Sequence, residues 1–581
     1  MPRPVPVEDM TTPGGLLLVL AVLLPFVGVL AGLVLGGRYA QRVALVTLLP
    51  GLGLAIAIAD ALARSGDTLV YLLGGWAPPL GVALRADGLA ALMLVTTAVV
   101  ICGIAVYART DFAMPPGAGE ARAPLVFWIL LLAVWGSLNL VFVSGDLFTL
   151  YVALELLTFA GVPLVCLDGS GETLRSALRY LLFALLGSML YLLGVVLLYG
   201  AYGTLDIPLL AMRVRPEPAA WAAVALMTTG LLAKTALFPL HLWLPPAHAG
   251  APAAASAVLS ALVVKGSFFL IVRLWFDVMP DVVTLPSAQL LAGLGAGAIL
   301  FGSVVALRQE RLKLLIAYST LAQIGYLFLM FPLAFDAMSS ELQRGDALTG
   351  GLLQAISHAT AKAGMFMAAG LIYKALGHDR IGELRGIARA LPISVLAFAV
   401  GGVALMGLPP SGAYVAKKLL LDAAAETGQW WWDLVLQAGG FFTTSYVVLV
   451  VAHALWPADC PVKLNAPVPR LQEGAALALA LCSMLLGLAA IGPVPLATLL
   501  LAPKELWSAV LLVLGGGVLA LGLGHRLPPV PGYVAIMSPV RTGAVAVARV
   551  IERADGVLRR WPVAGLSLVV LVIGFVAAML S

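Results

Sequence analysis

Apolar stretches of about twenty residues, the length at which a helix crosses a hydrocarbon core of about 30 Å, recur along the whole of this chain. They lie near 14–36, 43–62, 86–107, 125–143, 146–166, 176–201, 219–243, 252–276, 287–307, 311–333, 348–376, 389–427, 433–456, 472–492, 506–524 and 562–580. In lipid no water is available to satisfy backbone N–H and C=O groups, so each stretch must close its own hydrogen bonds as a helix. Composition agrees: 61% of the 581 residues are hydrophobic and 11% charged, at a mean hydropathy of +1.03, where soluble domains carry about 25% charged residues. The fold class is therefore an all-α polytopic membrane protein.

The charge balance is nearly even, 34 Lys and Arg against 29 Asp and Glu, with no basic block. That excludes nucleic acid as a partner and leaves membrane lipid as the surroundings. Cys102, Cys166, Cys460 and Cys482 are far apart, so no iron–sulfur or zinc ligand spacing exists; no metal or cofactor is expected on this chain. The run from Gly14 to Gly36 follows the acidic Glu8-Asp9 and is longer than a signal-peptide core, so it reads as a span that is not cleaved. Placing the N-terminus outside puts Arg38, Arg42, Arg109, Arg122, Arg175, Arg179, the 308–313 loop and 374–389 inside, as the positive-inside rule requires. Arg213 and Arg215 run against it.

Two spans are interrupted. The first reads Lys234-Thr-Ala-Leu-Phe-Pro239-Leu-His241 and ends at Pro245-Pro246; the second is divided by Gly407-Leu-Pro409-Pro410-Ser411-Gly412. Proline removes a backbone donor, which is tolerable at membrane depth only where protein or a water-filled cavity serves the freed carbonyl. Broken helices in corresponding halves point to a transport site between inverted repeats. This gives four regions: N-terminal helices at 1–124, a first repeat at 125–276, a second at 277–456, and C-terminal helices at 457–581. Residues 526–561 form the one sizeable extramembrane segment. Its stretch from Val545 to Trp561, with Arg549, Arg553, Arg559 and Arg560, suits either a helix lying in the interface or a basic linker.

Ionisable residues inside the spans carry the functional reading, because each costs several kcal/mol unless it faces a partner, water or an ion path. Glu155 is mid-span and needs a cation, which Lys234 supplies. A lysine's affinity for its proton follows its burial and its distance from a carboxylate, so a Glu–Lys pair of variable length acts as a pump element; a static pair that fixes packing is the alternative. Lys265 also lies mid-span. His358 and Lys362 are four apart on one helix face, and a histidine titrates near neutral pH. Lys417 and Lys418 follow the second break, one a channel terminus and the other reaching the interface. His241 and His248 flank the first break as proton carriers or polar lining. Lys313, Arg175 and Arg179, at span ends, read as interface anchors.

These segments resemble the antiporter-like proton-translocating subunits of respiratory complex I, Mrp cation/proton antiporters and membrane-bound hydrogenases. The resemblance is carried by Gly145 through Glu155, Lys234 through Pro252, Lys313 through Tyr326, His358 through Gly370 and Gly407 through Lys417, and covers about residues 85–455. It implies a fourteen-helix core with two inverted five-helix repeats, which the last two helices exceed. It further implies that Glu155 and Lys234 are the family's glutamate–lysine pair, Lys265 its bridging lysine, His358 its central histidine and Lys417 its terminal lysine. Lys418 is a departure, and 526–561 is short for the long lateral helix of the distal complex I subunit.

The resulting expectation is a subunit that passes H⁺ through Glu155, Lys234, Lys265, His358, Lys362 and Lys417 in a multisubunit complex of a bacterial inner membrane. Redox chemistry, or Na⁺ or K⁺ exchange, takes place on other membrane subunits, with any quinone on a neighbour; this chain contributes no catalytic residue of its own. The competing readings are a quinone-reactive membrane subunit of an NADH dehydrogenase and a non-conducting scaffold of the same fold.

Overall fold

The computed structural model describes residues 11–115, 117, 121–336, 341–458, 461–491, 503–523 and 533–581. Among them, twelve helices are long and apolar enough to cross a membrane, and each coincides with one of the apolar stretches read from the sequence. The other four stretches are also helical. Three of them are interrupted or carry the polar residues of interest: Pro218–Thr235, Asp346–Leu376, and the pair Pro392–Leu405 and Gly412–Glu426. The fourth is Pro503–Leu523.

The chain divides into two compact units. One comprises residues up to Thr235 together with Leu262–Thr284 and Leu568–Ser581; the other comprises Ala236–Ala261 and Leu285–Ser567. In the first unit, side-chain oxygens start the helices where four backbone N–H groups would otherwise lack acceptors. Asp87 accepts from Ala90 N at 2.9 Å, Asp146 from Thr149 N at 2.8 Å, and Ser170 from Thr173 N at 3.3 Å. Asp87 also receives Arg273, whose Nη1 lies 2.6 Å from both Asp87 Oδ2 and Asp277 Oδ2. The 63–85 connection contains a departure from helix: Leu69–Leu72 pairs antiparallel with Ala83–Ala86, register Leu69 to Ala86. Rich in branched and aromatic side chains, this segment forms a hairpin that satisfies its own backbone outside the spans.

Helices in lipid gain no hydrophobic drive to associate, so close packing depends on small residues. Each unit shows such a crossing. A Cβ on Gly187 would sit 2.6 Å from the Gly230 carbonyl oxygen, and one on Gly230 would run into the Gly187 carbonyl. In the second unit Gly295 and Gly325 stand in the same relation, also at 2.6 Å.

Both interrupted helices are broken. The first stops at Thr235, four residues before Pro239, where Ala236 leaves helical geometry at φ +58°. Pro239 thus lies inside the break. Helix resumes at Leu244–Gly250 and Ala253–Val258, then passes a π-helical turn at Leu259–Val263 before Val264–Arg273. The second break runs from Met406 to Ser411 and contains Gly407 at φ +73°, Pro409 and Pro410. Ser411 caps the next helix by accepting from Tyr414 N at 3.1 Å.

Of the C-terminal segment, 524–532 lies outside the described residues. In the remainder, Tyr533–Leu558 is a 26-residue helix that begins well before Val545. Val547, Val550, Arg549 and Arg553 are exposed or half-buried along it, while Ala548 and Asp555 are buried. Cys460 is likewise outside the described residues.

Replacing Gly187 or Gly295 by Val forces its helix pair apart at a cost of roughly 1–3 kcal/mol. The expected outcome is a lower melting temperature and reduced accumulation in the membrane fraction, read by thermal unfolding in detergent and immunoblot; Gly200, with open space at its Cβ, is the control that tolerates Ala.

Candidate functional site: buried ionisable groups along two broken helices

In the first unit, Glu155 projects from Leu147–Gly161 and Lys234 from the last turn of Pro218–Thr235. Lys234 Nζ lies 3.4 Å from Glu155 Oε1 and 2.8 Å from Thr158 Oγ1, and the lysine is 5% exposed. Thr158 was not singled out by the sequence. It is one turn on from Glu155, and its hydroxyl donates to Leu154 O at 2.8 Å, which leaves an oxygen lone pair for the ammonium. The pair is thus long, and a neutral oxygen supplies the shorter contact. Lys265 is 1% exposed and follows directly on the π-helical turn; such turns place side chains out of the ordinary helical register.

The second unit holds the rest. His358 and Lys362 are fully buried on Asp346–Leu376. Lys362 Nζ donates to Ser319 Oγ and, at 3.4 Å, to Ile316 O on the facing Leu312–Phe328 helix. One turn before His358, Gln354 donates to Gln323 Oε1 at 3.0 Å, and Gln323 donates to Thr443 Oγ1 at 3.0 Å and Tyr446 Oη at 3.3 Å. Tyr326 and Gln354 then line a cavity of about 20 Å³ with Gly407, Gly440 and Lys417, room for about one water. Glycine at 407 and 440 leaves space for the lysine: a Cβ on Gly440 would lie 3.2 Å from Lys417 Nζ. Lys417 Nζ also donates to Gln437 Oε1 at 3.2 Å. Lys418 is exposed, so of the two lysines it is Lys417 that faces the cavity. The glutamine–tyrosine chain went unnoticed in the sequence, where single polar residues inside apolar helices resemble ordinary packing.

The two histidines of the first break differ. His248 is buried, stacks on Phe366 with ring centroids 4.7 Å apart, and has no hydrogen-bond partner at either ring nitrogen among the described residues. Its neighbour Lys313 departs from the interface anchor expected of it. Lys313 is 8% exposed and its Nζ donates to Ala251 O at 2.6 Å, a carbonyl that the helix end before Pro252 leaves free. Arg175 is exposed and Arg179 half-buried. His241 is fully buried with Nε2 3.0 Å from Asp555 Oδ1 on the Tyr533–Leu558 helix. Burial alone raises the pKa of Asp555, but the hydrogen bonds from His241 and Tyr318 and the charge of Arg559 outweigh it and hold the carboxyl below its ordinary value.

The chemistry open to such groups is the binding and release of protons; among the described residues no His, Cys, Asp and Glu cluster is arranged to hold a metal ion. Valine at position 158 keeps the shape of threonine but removes the 2.8 Å acceptor, leaving a buried ammonium with one distant partner. The expected cost is about 1–3 kcal/mol, seen as a lower melting temperature.

Comparison with known proteins gives a consistent picture. Residues 144–443 match the family described as "NADH:quinone oxidoreductase/Mrp antiporter, TM". The chain is 34% identical over 378 residues to NADH-quinone oxidoreductase subunit N of Desulforudis audaxviator, covering 64% of this chain and 72% of that protein. It is 26% identical over 387 residues to a Na(+)/H(+) antiporter subunit of Bacillus subtilis, covering 66% and 75%. Among solved structures it shares its fold with a chain of the Mrp complex from Dietzia sp. DQ12-45-1b, at TM-score 0.70 and 24% identity over 91% of this chain and 99% of that one. A chain of the membrane-bound sulfane sulfur reductase, an archaeal respiratory membrane complex, gives TM-score 0.72 at 24% identity, covering 87% and 98%.

Proposed function

Because the chain belongs to the NADH:quinone oxidoreductase/Mrp antiporter membrane family, we propose that it is the proton-translocating subunit of a multisubunit complex in a bacterial plasma membrane. Its relatives carry the names of subunits, of a quinone oxidoreductase in one case and a cation/proton antiporter in another, so the driving reaction belongs to other chains. The observation that carries the reading is Lys234, buried and held between Glu155 at 3.4 Å and Thr158 at 2.8 Å.

A buried ammonium is stable only while it is paired. At 3.4 Å the pair is within reach of both outcomes: closing it holds the proton on Lys234, and opening it leaves a charge in a dry site, which is relieved by giving the proton up. The threonine oxygen solvates the amine in either state, so the lysine need not move far. A small change in helix spacing, transmitted from a neighbouring subunit, is then enough to load and unload the site. Lys265, His358 and Lys362 are the onward carriers, and Lys417 is the terminus. The Gln354–Gln323–Tyr446 chain and the cavity at Lys417 supply hydrogen-bonding groups along the last part of that route, with His248 and His241 as accessory groups. In this reading 125–276 and 277–456 act as two inverted half-channels, each opened by its helix break at Pro239 or at Pro409 and Pro410.

The Lys234→Ala variant should assemble and lose coupled proton transport, measured as quenching of a pH-sensitive dye in inverted membrane vesicles alongside a native gel. Transport at the wild-type rate in an assembled K234A complex would remove the basis of the proposal. Mass spectrometry of gently purified native complex identifies the driver: flavin or metal-cluster proteins mark a redox pump, and small hydrophobic antiporter subunits alone mark a cation exchanger.

A further inference from the structure

The contact between His241 and Asp555 joins residues 314 positions apart. Asp555 shares out both of its oxygens. Oδ1 faces His241 Nε2 at 3.0 Å; Oδ2 accepts from Tyr318 Oη at 2.7 Å and lies 2.7 Å from Arg559 Nε. The His241 ring is clamped between aromatic neighbours, stacked on Phe238 at 5.9 Å between centroids and edge-on to Phe301 at 5.5 Å. Its other nitrogen, Nδ1, is buried without a hydrogen-bond partner among the described residues.

A carboxylate that accepts from a phenol hydroxyl and is ion-paired with an arginine only accepts, so the hydrogen between it and the imidazole belongs to Nε2. In a neutral imidazole one nitrogen donates and the other accepts; the lone pair then lies on Nδ1. We propose that Asp555 is a positioning residue for proton transfer, fixing His241 as the Nε2–H tautomer so that Nδ1 is the single atom through which this histidine takes up and returns a proton. The inference rests on the proton-translocating reading above.

The step balances simply. A hydronium ion gives its proton to the Nδ1 lone pair, its O–H bond breaking as the N–H bond forms; the imidazolium charge lies against the Asp555 carboxylate; on release the same Nδ1–H bond breaks and the proton passes to a water molecule. Nε2–H stays with Asp555 throughout. His241 is thus a waiting place for a proton and not a shuttle through the ring, since passage through the ring would hand Nε2–H to a carboxylate whose oxygens are already engaged.

The Tyr533–Leu558 helix is also fastened by Arg308 Nε to Glu552 Oε1 at 3.2 Å, a second clamp independent of the imidazole. That clamp separates positioning from mere attachment. In the assembled complex in inverted vesicles, Asp555→Asn should lower proton transport about tenfold or more, while Glu552→Gln, which loosens the same helix, leaves transport near the wild-type rate. Solid-state NMR with ¹⁵N-histidine, using His241→Gln to identify the resonance, should show His241 protonated at Nε2 in the wild type and at Nδ1 in D555N.

Three results would overturn the proposal: a wild-type His241 protonated at Nδ1, an assembled D555N complex that transports normally, or an E552Q loss as large as that of D555N. The wild-type tautomer decides the matter even if D555N fails to assemble. Failure of the underlying reading is distinct: it appears as normal transport in K234A, whereas lost transport in K234A with normal transport in D555N removes only the role of Asp555.

Discussion

A lysine ammonium inside a membrane has to be solvated by the protein, and the first unit is arranged around doing this for Lys234. The carboxylate that balances its charge comes from a neighbouring helix at 3.4 Å, and the closest oxygen is a threonine hydroxyl whose own proton is committed to a backbone carbonyl. Much else follows from that requirement. The lysine occupies the last turn before a break, where the helix stops and its backbone groups become available to neighbours. The helix that carries it crosses Gly171–Tyr202 at Gly187 and Gly230 without side chains between them.

The second unit meets the same requirement by other means. Lys362 is fully buried and donates to neutral oxygens, Ser319 Oγ and Ile316 O. Lys313 uses a carbonyl at the end of an interrupted helix. Lys417 has a glutamine and a cavity the size of one water. Neutral oxygens solvate an ammonium and its conjugate amine with less contrast than a carboxylate does. In a tight ion pair, by contrast, removing one partner strands the other.

The sequence showed the residues whose presence is anomalous in lipid, and little of what surrounds them. Glu155, Lys234, Lys265 and Lys362 stand out because nothing apolar explains them, and the breaks stand out because proline has a local effect. Thr158 did not, since a threonine in a helix ordinarily bonds its own backbone; here it does so and accepts from Lys234 as well. Lys313 read as an anchor from its place at a span end, and only tertiary structure brings the Ala251 carbonyl to it. The segment 545–561 was ambiguous in sequence for a related reason. Arginine spacing alone fits a linker or an interface helix, and the residue that ties it down, Asp555, finds its partner 314 positions upstream. Local chemistry is written locally, whereas partners are a property of the fold.

That separation in sequence has a consequence for how the molecule is made. Chains emerge at about 5–20 residues per second, so about 15–60 s pass between synthesis of His241 and synthesis of Asp555. Both broken helices have been synthesised by then, with the histidine of the first still lacking its carboxylate. Completion of this contact is therefore a late event in biogenesis: a chain cut short before Tyr533 has both broken helices but no Asp555 for His241. The contact waits on the synthesis of residues 533–558.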